Sequence, residues 1–346
     1  MSYKQIEKAN EARKFKPFET NLQLVETYNV LFALAEFRKD SDKALEEAKK
    51  NVMPKLAPLY ESIINKVKES FITAKENFEK EPIPQTKEEI TPYINNMEAL
   101  LNKKKMFDDT LECFEMLEKS FQTVCKKVPH INYIAMLWIA IAKMFKYDFF
   151  SCSSVSEGTL DSNLISSYGE DVNRLRSMNL MFHTIHVFNT AVQNSFSGKT
   201  YQQGAENNIL AAIMHDFGKA PLIRQLLNME GTRGQIKHEH VSEAFISNTY
   251  TFRLMEVFKN EDDESQQLFM KICDEIAFIV KSHHMGSSNK SMTYGIEFVQ
   301  EADKTARQME IRDHKAHEEL AKQTLEQKRK ELENAIKLKQ MKERLK

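Results

Sequence analysis

The stretch ILAAIMHDFGK, residues 209–219, joins an apolar run to an adjacent histidine and aspartate. Neighbouring residues on a helix point about 100° apart. His215 and Asp216 therefore reach one metal ion only near a helix end, and Gly218 predicts that end. A carboxylate beside an imidazole suits Mn²⁺, Fe, Co²⁺, Ni²⁺ or Zn²⁺. This stretch predicts part of a metal site at the end of a buried helix.

Further histidine and aspartate motifs flank this stretch in a fixed order. They are Phe-His183-Thr-Ile-His-Val, Lys-His238-Glu-His-Val-Ser-Glu-Ala, His283-His284-Met-Gly-Ser and Glu-Ala-Asp303-Lys-Thr-Ala-Arg307. Each motif lies on a predicted helix or at its end, and packed helices can direct such ligands toward a shared site. The set offers nitrogen and oxygen without cysteine, which argues against a structural zinc site and favours a catalytic one with open coordination positions.

This ordered pattern resembles the HD-domain superfamily of metal-dependent phosphohydrolases. The resemblance covers residues 175–310, less than half of the chain. The motif at His238 resembles that of members holding two metal ions. The paired histidines resemble those of cyclic-dinucleotide phosphodiesterases, although the Gly-Tyr-Pro signature of the cyclic-di-GMP branch does not follow them.

The resemblance implies a ligand for each position of a two-metal centre. The first ion would be bound by His183, His215, Asp216 and Asp303. Asp216 would bridge to a second ion that is also bound by His238 and His283. His284 would either be a further ligand of that ion or contact one of its ligands without binding the ion. Two such ions activate a hydroxide, so no protein nucleophile is required. The expected catalytic residues are Asp216, Lys219 and Arg307, the two cations stabilising charge that develops on the phosphate.

The resemblance leaves the substrate open. The superfamily includes cyclic-dinucleotide phosphodiesterases, nucleotidases, (p)ppGpp hydrolases and relaxases that cut DNA. We expect metal-dependent hydrolysis of a phosphate ester in a nucleotide or nucleotide-like small molecule. The alternatives are a relaxase-like nuclease and a non-catalytic signalling scaffold that binds a nucleotide or a metal. Among the other polar residues, we expect His186 either to contact the ligands from outside the metal site or to be a hydrogen-bonded interior histidine. We expect Glu206, His240, His314 and His317 at the surface.

The rest of the chain predicts helices. All nine glycines lie at or after Gly158, and no stretch sustains the alternation of a strand. Three apolar runs have helical spacing, at residues 24–35, 59–78 and 111–124. Predicted breaks are Pro54, Pro58, residues 82–84 and Pro129, and Thr86 with Glu89 has the spacing of a capping box. The fold class is therefore predicted to be all-α.

The predicted domains follow from composition. Residues 1–150 form a helical N-terminal domain of unknown role, the small polar residues 151–163 a linker, residues 164–311 the HD domain, and residues 312–346 a long charged helix. From Lys328 onward, eight basic residues against three acidic ones give a net charge of +5. A solvated, fraying helix is favoured there. A short coiled coil and a basic arm touching nucleic acid or anionic lipid remain alternatives.

Composition excludes several classes of protein. The 346 residues are 41% hydrophobic and 29% charged with a net charge of −1, so bulk charge does not favour nucleic acid or a membrane. Four scattered cysteines without a CxxC motif fit a reducing cytoplasm. The charged N-terminus lacks an apolar signal core. Residues 131–142 fall short of the roughly 20 needed for a membrane span and predict a buried helix.

Overall fold

The computed structural model describes residues 41–128, 130–155, 169–197, 204–230, 236–259, 262–285 and 294–345. Helices dominate these residues, which contain no strand and one isolated bridge, between Ser153 and Asn179. The predicted all-α class is confirmed. The predicted apolar run at residues 24–35, Pro129 and residues 156–163 of the predicted linker lie outside the described residues.

The described residues form eleven α-helices. They are α1 (Ser41–Glu79), α2 (Lys87–Lys127), α3 (Ile131–Lys146), α4 (Val172–Ser177), α5 (Leu180–Phe196), α6 (Ala205–Met214), α7 (Pro221–Leu226), α8 (His238–Ala244), α9 (Thr251–Val257), α10 (Asp263–Ser282) and α11 (Tyr294–Arg344). Short 3₁₀ turns occur at Phe149–Ser151, Gly169–Asp171 and Phe217–Lys219, and a π-helical segment at Phe245–Tyr250.

Of the helix breaks predicted at prolines, the one at residues 82–84 is observed and those at Pro54 and Pro58 are not. Pro54 and Pro58 were expected to end a helix, but both lie inside α1, so that prediction is wrong. An interior proline costs about 3 kcal/mol. Leu56 and Leu59 are 0% and 7% exposed, and burial of each side chain stabilises the folded state by about 1.5–3 kcal/mol. Tertiary burial thus offsets the local preference.

The break at residues 82–84 is confirmed, and a side-chain cap begins the next helix. The Glu89 carboxylate accepts hydrogen bonds from the backbone N–H groups of Gln85 and Thr86, at 2.7 and 3.3 Å. These bonds satisfy donors that the first turn of α2 leaves without intrahelical partners. The predicted start of this helix is therefore observed.

Two compact units make up the chain. One comprises Met1–Leu59 with Met116–Gln308, and the other Tyr60–Glu115 with Met309–Lys346. This grouping differs from the predicted boundaries, because α3 packs against α6 and so joins the unit that carries the histidine motifs. Within residues 151–155, Ser154 and Val155 are buried in that unit at 0% and 4% exposed.

The core of the first unit surrounds α6. Every residue of Ala205–Met214 is buried, and the helix packs against α3, α5 and α10. The predicted buried helix is also observed, since residues 134–144 of α3 are buried. The Tyr250 hydroxyl donates to Met136 O at 2.7 Å, tying α3 to the π-helical segment. None of the described helices combines the length and apolar character that a membrane crossing requires.

In the second unit, one face of the C-terminal helix α11 packs against α2. Leu332 and Ile336, 6% and 3% exposed, form an apolar cluster with Ile90 and Ile94 of α2. The expectation of a fully solvated terminal helix is therefore wrong for this face. The helix also begins at Tyr294 and not near residue 312, because apolar residues continue at helical spacing through residues 296–311 without a break.

Candidate metal centre

The His215-Asp216 pair lies where α6 ends. The helix stops at Met214, His215 is its C-cap residue, and Asp216 leaves helical geometry at φ −107° and ψ 10°. This departure brings Asp216 Oδ2 within 3.2 Å of His215 Nε2. Two adjacent side chains therefore converge at a helix end, as the sequence predicts.

Gly218 has a different role from the predicted helix cap. Its φ lies outside the left-handed region that a capping glycine adopts. A Cβ atom at Gly218 would instead lie 2.1 Å from His238 O and 2.8 Å from Ser242 N. The Gly218 N–H donates to Ser242 Oγ at 2.7 Å, and this hydroxyl donates to His215 O at 3.0 Å. A glycine is required because α8 lies directly against this turn.

A first group of candidate ligands contains His183, His215 and Asp303. They come from α5, the end of α6 and α11, and their ligand atoms lie within 4.8 Å of one another. His183 Nε2 is 3.1 Å from Asp303 Oδ1 and 3.4 Å from Asp216 Oδ2. The four residues that the resemblance assigns to a first ion thus lie together.

A second group contains His238, His283 and His284, again with ligand atoms within 4.8 Å. His238 begins α8, and the paired histidines follow α10. The Nε2 atoms of His238 and His284 are 3.0 Å apart. Asp216 belongs to a third group, with His215 and His283, that overlaps the other two. Its Oδ1 lies 3.0 Å from His238 Nε2, so its carboxylate extends between the groups.

Contacts on the far side of each ring orient these imidazoles. Nδ1 of His215 lies 2.7 Å from Ala212 O, and Nδ1 of His283 lies 2.5 Å from Val280 O. Donation to these carbonyls leaves Nε2 as the ligand atom. His238 Nδ1 lies 3.5 Å from the buried Glu239 carboxylate. Such outer contacts are typical of metal-binding histidines.

The donor set fits a divalent transition-metal ion. Nε2 of His215 and of His283 are buried and meet no hydrogen-bond partner among the described residues. A buried polar atom without a partner requires a physical explanation, and an ion within these groups provides one. Imidazole and carboxylate ligands without thiolate suit Mn, Fe, Co, Ni or Zn. The described residues therefore include groups that can hold a metal ion.

The carboxylates are held in their ionised form. Burial alone would raise the pKa of Asp216, but His215 and Lys219 outweigh it and hold that pKa well below its usual range. Burial would likewise raise the pKa of Asp303, but the hydrogen bond and charge of His183 lower it well below its usual value. Both side chains are thus ready to act as anionic ligands.

The paired histidines are held neutral. Burial lowers the pKa of His283 well below its ordinary value, and the neighbouring His284 adds to the effect. Burial, together with His238, lowers the pKa of His284 to about 4. Neutral imidazoles are the form that binds a metal.

The two expected catalytic cations are engaged inside the protein. Lys219 Nζ donates to Asp216 Oδ2 at 2.6 Å and to Ser154 O at 2.9 Å. Arg307 donates from Nη1 to Ser154 Oγ at 2.8 Å and from Nη2 to Ser154 O at 3.1 Å, and its Nε lies 3.6 Å from Asp303 Oδ1. Both side chains are nearly inaccessible, at 6% and 2% exposed. They lie beside the ligand carboxylates.

Ser154 contacts both cations, and the sequence does not single it out. It lies in the small, polar predicted linker, where nothing in the sequence distinguishes it from its serine neighbours. Folding buries it completely, because its hydroxyl and carbonyl accept from two buried cations. The sequence also does not single out Glu239, because its contact with His238 Nδ1 is seen only in the folded structure.

Replacing Ser154 by alanine is expected to destabilise the first unit. The Arg307 Nη1 donor would lose its hydroxyl partner in a buried position, at a cost of about 1–3 kcal/mol. Chemical denaturation measures this change. Ser151→Ala is the matched control, because the exposed hydroxyl of Ser151 donates to Asp148 Oδ1, and we expect a change within about 0.5 kcal/mol. Equal effects of the two substitutions would contradict the assigned contact.

The remaining polar residues divide between interior and surface. His186 is half-buried and lies outside the three ligand groups, and His240 is exposed, as expected. Glu206 is buried, not at the surface, because α6 is enclosed on all faces, and this burial raises its pKa. His314 and His317 are partly buried, although they were expected to be solvated.

No protein-family model, no curated protein and no solved structure matches this chain.

Proposed function

We propose that this protein is a metal-dependent phosphohydrolase of the HD-domain type, acting on a phosphate ester in a nucleotide or nucleotide-like molecule. One observation carries the proposal. Seven residues spread over 121 positions, from His183 to Asp303, lie in three groups, and the group of His215, Asp216 and His283 has one residue in common with each of the other two. Their order along the chain is that of the HD motifs.

The proposed centre holds two ions. The first would be bound by His183, His215, Asp216 and Asp303, and the second by Asp216, His238, His283 and His284. The two oxygens of Asp216 support a bridging role, since Oδ2 lies 3.2 Å from His215 Nε2 and Oδ1 lies 3.0 Å from His238 Nε2. When bound, two such ions supply a hydroxide at neutral pH and polarise the phosphoryl oxygen.

The charges around the centre favour an anionic substrate. Asp216 and Asp303 are balanced by Lys219 and Arg307, which contact them at 2.6 and 3.6 Å. Imidazole binds a metal ion in its neutral form, so the ligand set would cancel little of the charge of bound divalent ions. The resulting positive potential attracts a phosphate ester.

Lys219 and Arg307 support this chemistry mainly by position. Their contacts with Ser154 and with the two carboxylates keep those ligands oriented, as outer partners of metal ligands do. Direct contact with the phosphate, the role expected from the motif, stays a prediction. The Asp303 side chain is 22% exposed and His284 is partly exposed, so we propose that the substrate approaches from their side.

Metal analysis with a substrate screen tests the proposal. The full chain loaded with Mn²⁺ is expected to cleave bis-p-nitrophenyl phosphate, and a chelator is expected to abolish that activity together with the bound metal. The screen then covers cyclic dinucleotides, nucleoside phosphates and single-stranded DNA. Stoichiometric nucleotide binding without turnover would support the scaffold alternative instead, and selective cleavage of DNA the nuclease.

A further inference from the structure

An exposed apolar stripe runs along the last two turns of α11. It consists of Leu338 and Met341, 59% and 61% exposed, and Leu345, which directly follows the helix and is 86% exposed. Their spacing of three and four residues places them on one side of the helix, within about 60° of one another at 100° per residue. Exposed apolar side chains that occur singly are common, but a stripe of them indicates an interaction surface.

The opposite side of this segment is occupied by the neighbouring helix. Ile336 packs with Ile90 and Ile94 of α2. Lys339 Nζ donates to Oε1 of Gln85, just before α2, at 2.8 Å. At 100° per residue, the apolar stripe lies about 140–200° around the helix axis from Ile336. The apolar stripe therefore faces away from α2, and a partner would approach from the side of α11 that α2 leaves open.

Basic side chains flank the apolar stripe on both sides. Lys337 and Arg344 lie on one side of it and Lys342 on the other, and these three flanking cations are exposed. Residues 337–345 contain four basic residues and one acidic residue, a net charge of +3. The acidic residue, Glu343, falls about 20° from Ile336 and so on the packed side. A second copy of this chain would bring the same positive charges, so repulsion disfavours self-association through the apolar stripe.

We propose that the apolar stripe and its flanking cations bind the surface of an anionic lipid bilayer. A helix in a bilayer interface inserts its apolar side chains among the headgroups, and its lysines and arginines contact the lipid phosphates. A planar surface needs access to one side of the helix, which α2 leaves open. Nucleic acid would engage the cations but leave the three apolar side chains in water. None of these residues belongs to the candidate ligand groups, so this inference is independent of the proposed hydrolase function.

Co-sedimentation of the full chain with lipid vesicles tests the proposal. Vesicles with equal amounts of phosphatidylserine and phosphatidylcholine should bind the protein, and vesicles of phosphatidylcholine alone should bind it about tenfold or more weakly. The double variant Leu338→Gln with Leu345→Gln should weaken binding to the anionic vesicles by about tenfold or more, because the leucines no longer insert. The matched control is Leu268→Gln with Met270→Gln, at exposed positions of α10, which should leave the affinity unchanged.

A charge variant completes the test. Lys337→Gln with Lys342→Gln should also weaken binding to the anionic vesicles. If the leucine variant instead kept full binding, the cations alone would act, as they would on DNA, and the proposal would be overturned. No binding of the wild type to anionic vesicles would overturn it too, as would a wild-type dimer that dissociates in the leucine variant, measured by sedimentation velocity. All substituted side chains are exposed and glutamine favours helix, so circular dichroism should show an unchanged fold.

Discussion

Asp216→Asn is expected to abolish phosphate-ester hydrolysis in the Mn²⁺-loaded protein. Asparagine keeps the shape of the side chain but removes the charge that lies between both ligand groups, within 3.2 Å of His215 and 3.0 Å of His238. Losing the proposed bridge removes several kcal/mol of charge stabilisation, which corresponds to a rate loss of about a thousandfold or more. Steady-state kinetics and elemental analysis should show activity and metal content falling together.

Folding must be separated from chemistry in this experiment. Asparagine also deprives the buried Lys219 ammonium of its ionic partner, and breaking a buried pair costs about 3–5 kcal/mol. The double variant Asp216→Asn with Lys219→Met removes both charges, so it should regain much of the stability without regaining activity. His240→Ala, at an exposed histidine outside the ligand groups, is the control expected to keep wild-type rates. Full activity in Asp216→Asn would refute the hydrolase proposal.

Gly218→Ala is expected to be the most destabilising single methyl addition in this region. The new Cβ would lie 2.1 Å from the backbone oxygen of His238 and 2.8 Å from Ser242 N, so α8 must move. Overpacking against backbone costs about 3 kcal/mol, which corresponds to a fall in Tm of about 6 °C or more. Because α8 carries His238, metal binding by the second ligand group should weaken as well.

Gly169→Ala provides the comparison. A Cβ there meets nothing within 4 Å, and the positive φ of 53° is its only difficulty. That strain costs about 1–2 kcal/mol, without an effect on metal content. Thermal unfolding and elemental analysis of the two variants distinguish packing at the metal centre from general backbone strain. A Gly218→Ala protein with wild-type Tm and metal content would contradict the close packing of α8.

Helices were predictable because their signals are local. Apolar spacing and the Thr86–Glu89 cap predicted α2, and both are observed. The interior prolines of α1 were misread because the burial of Leu56 and Leu59, which outweighs them, depends on distant parts of the chain. The start of α11 was placed too late because the charge pattern changes near residue 312 while the backbone geometry does not.

The candidate ligands could be selected from the sequence because their ordered motifs resemble those of the HD-domain superfamily, and the structure brings them into three groups. Their neighbours could not. Ser154 gained its role only when folding brought a serine from residues 151–163 beside Lys219 and Arg307.

The amino-acid sequence by itself determined the helical class and the chemical identity of the candidate ligands, because periodicity and side-chain type are properties of the chain. Only the tertiary structure decided which oxygen of Asp216 faces which histidine, why residue 218 is a glycine, and how the two buried cations are held. Those features are distances between segments remote in sequence, and such distances exist only after the helices have packed.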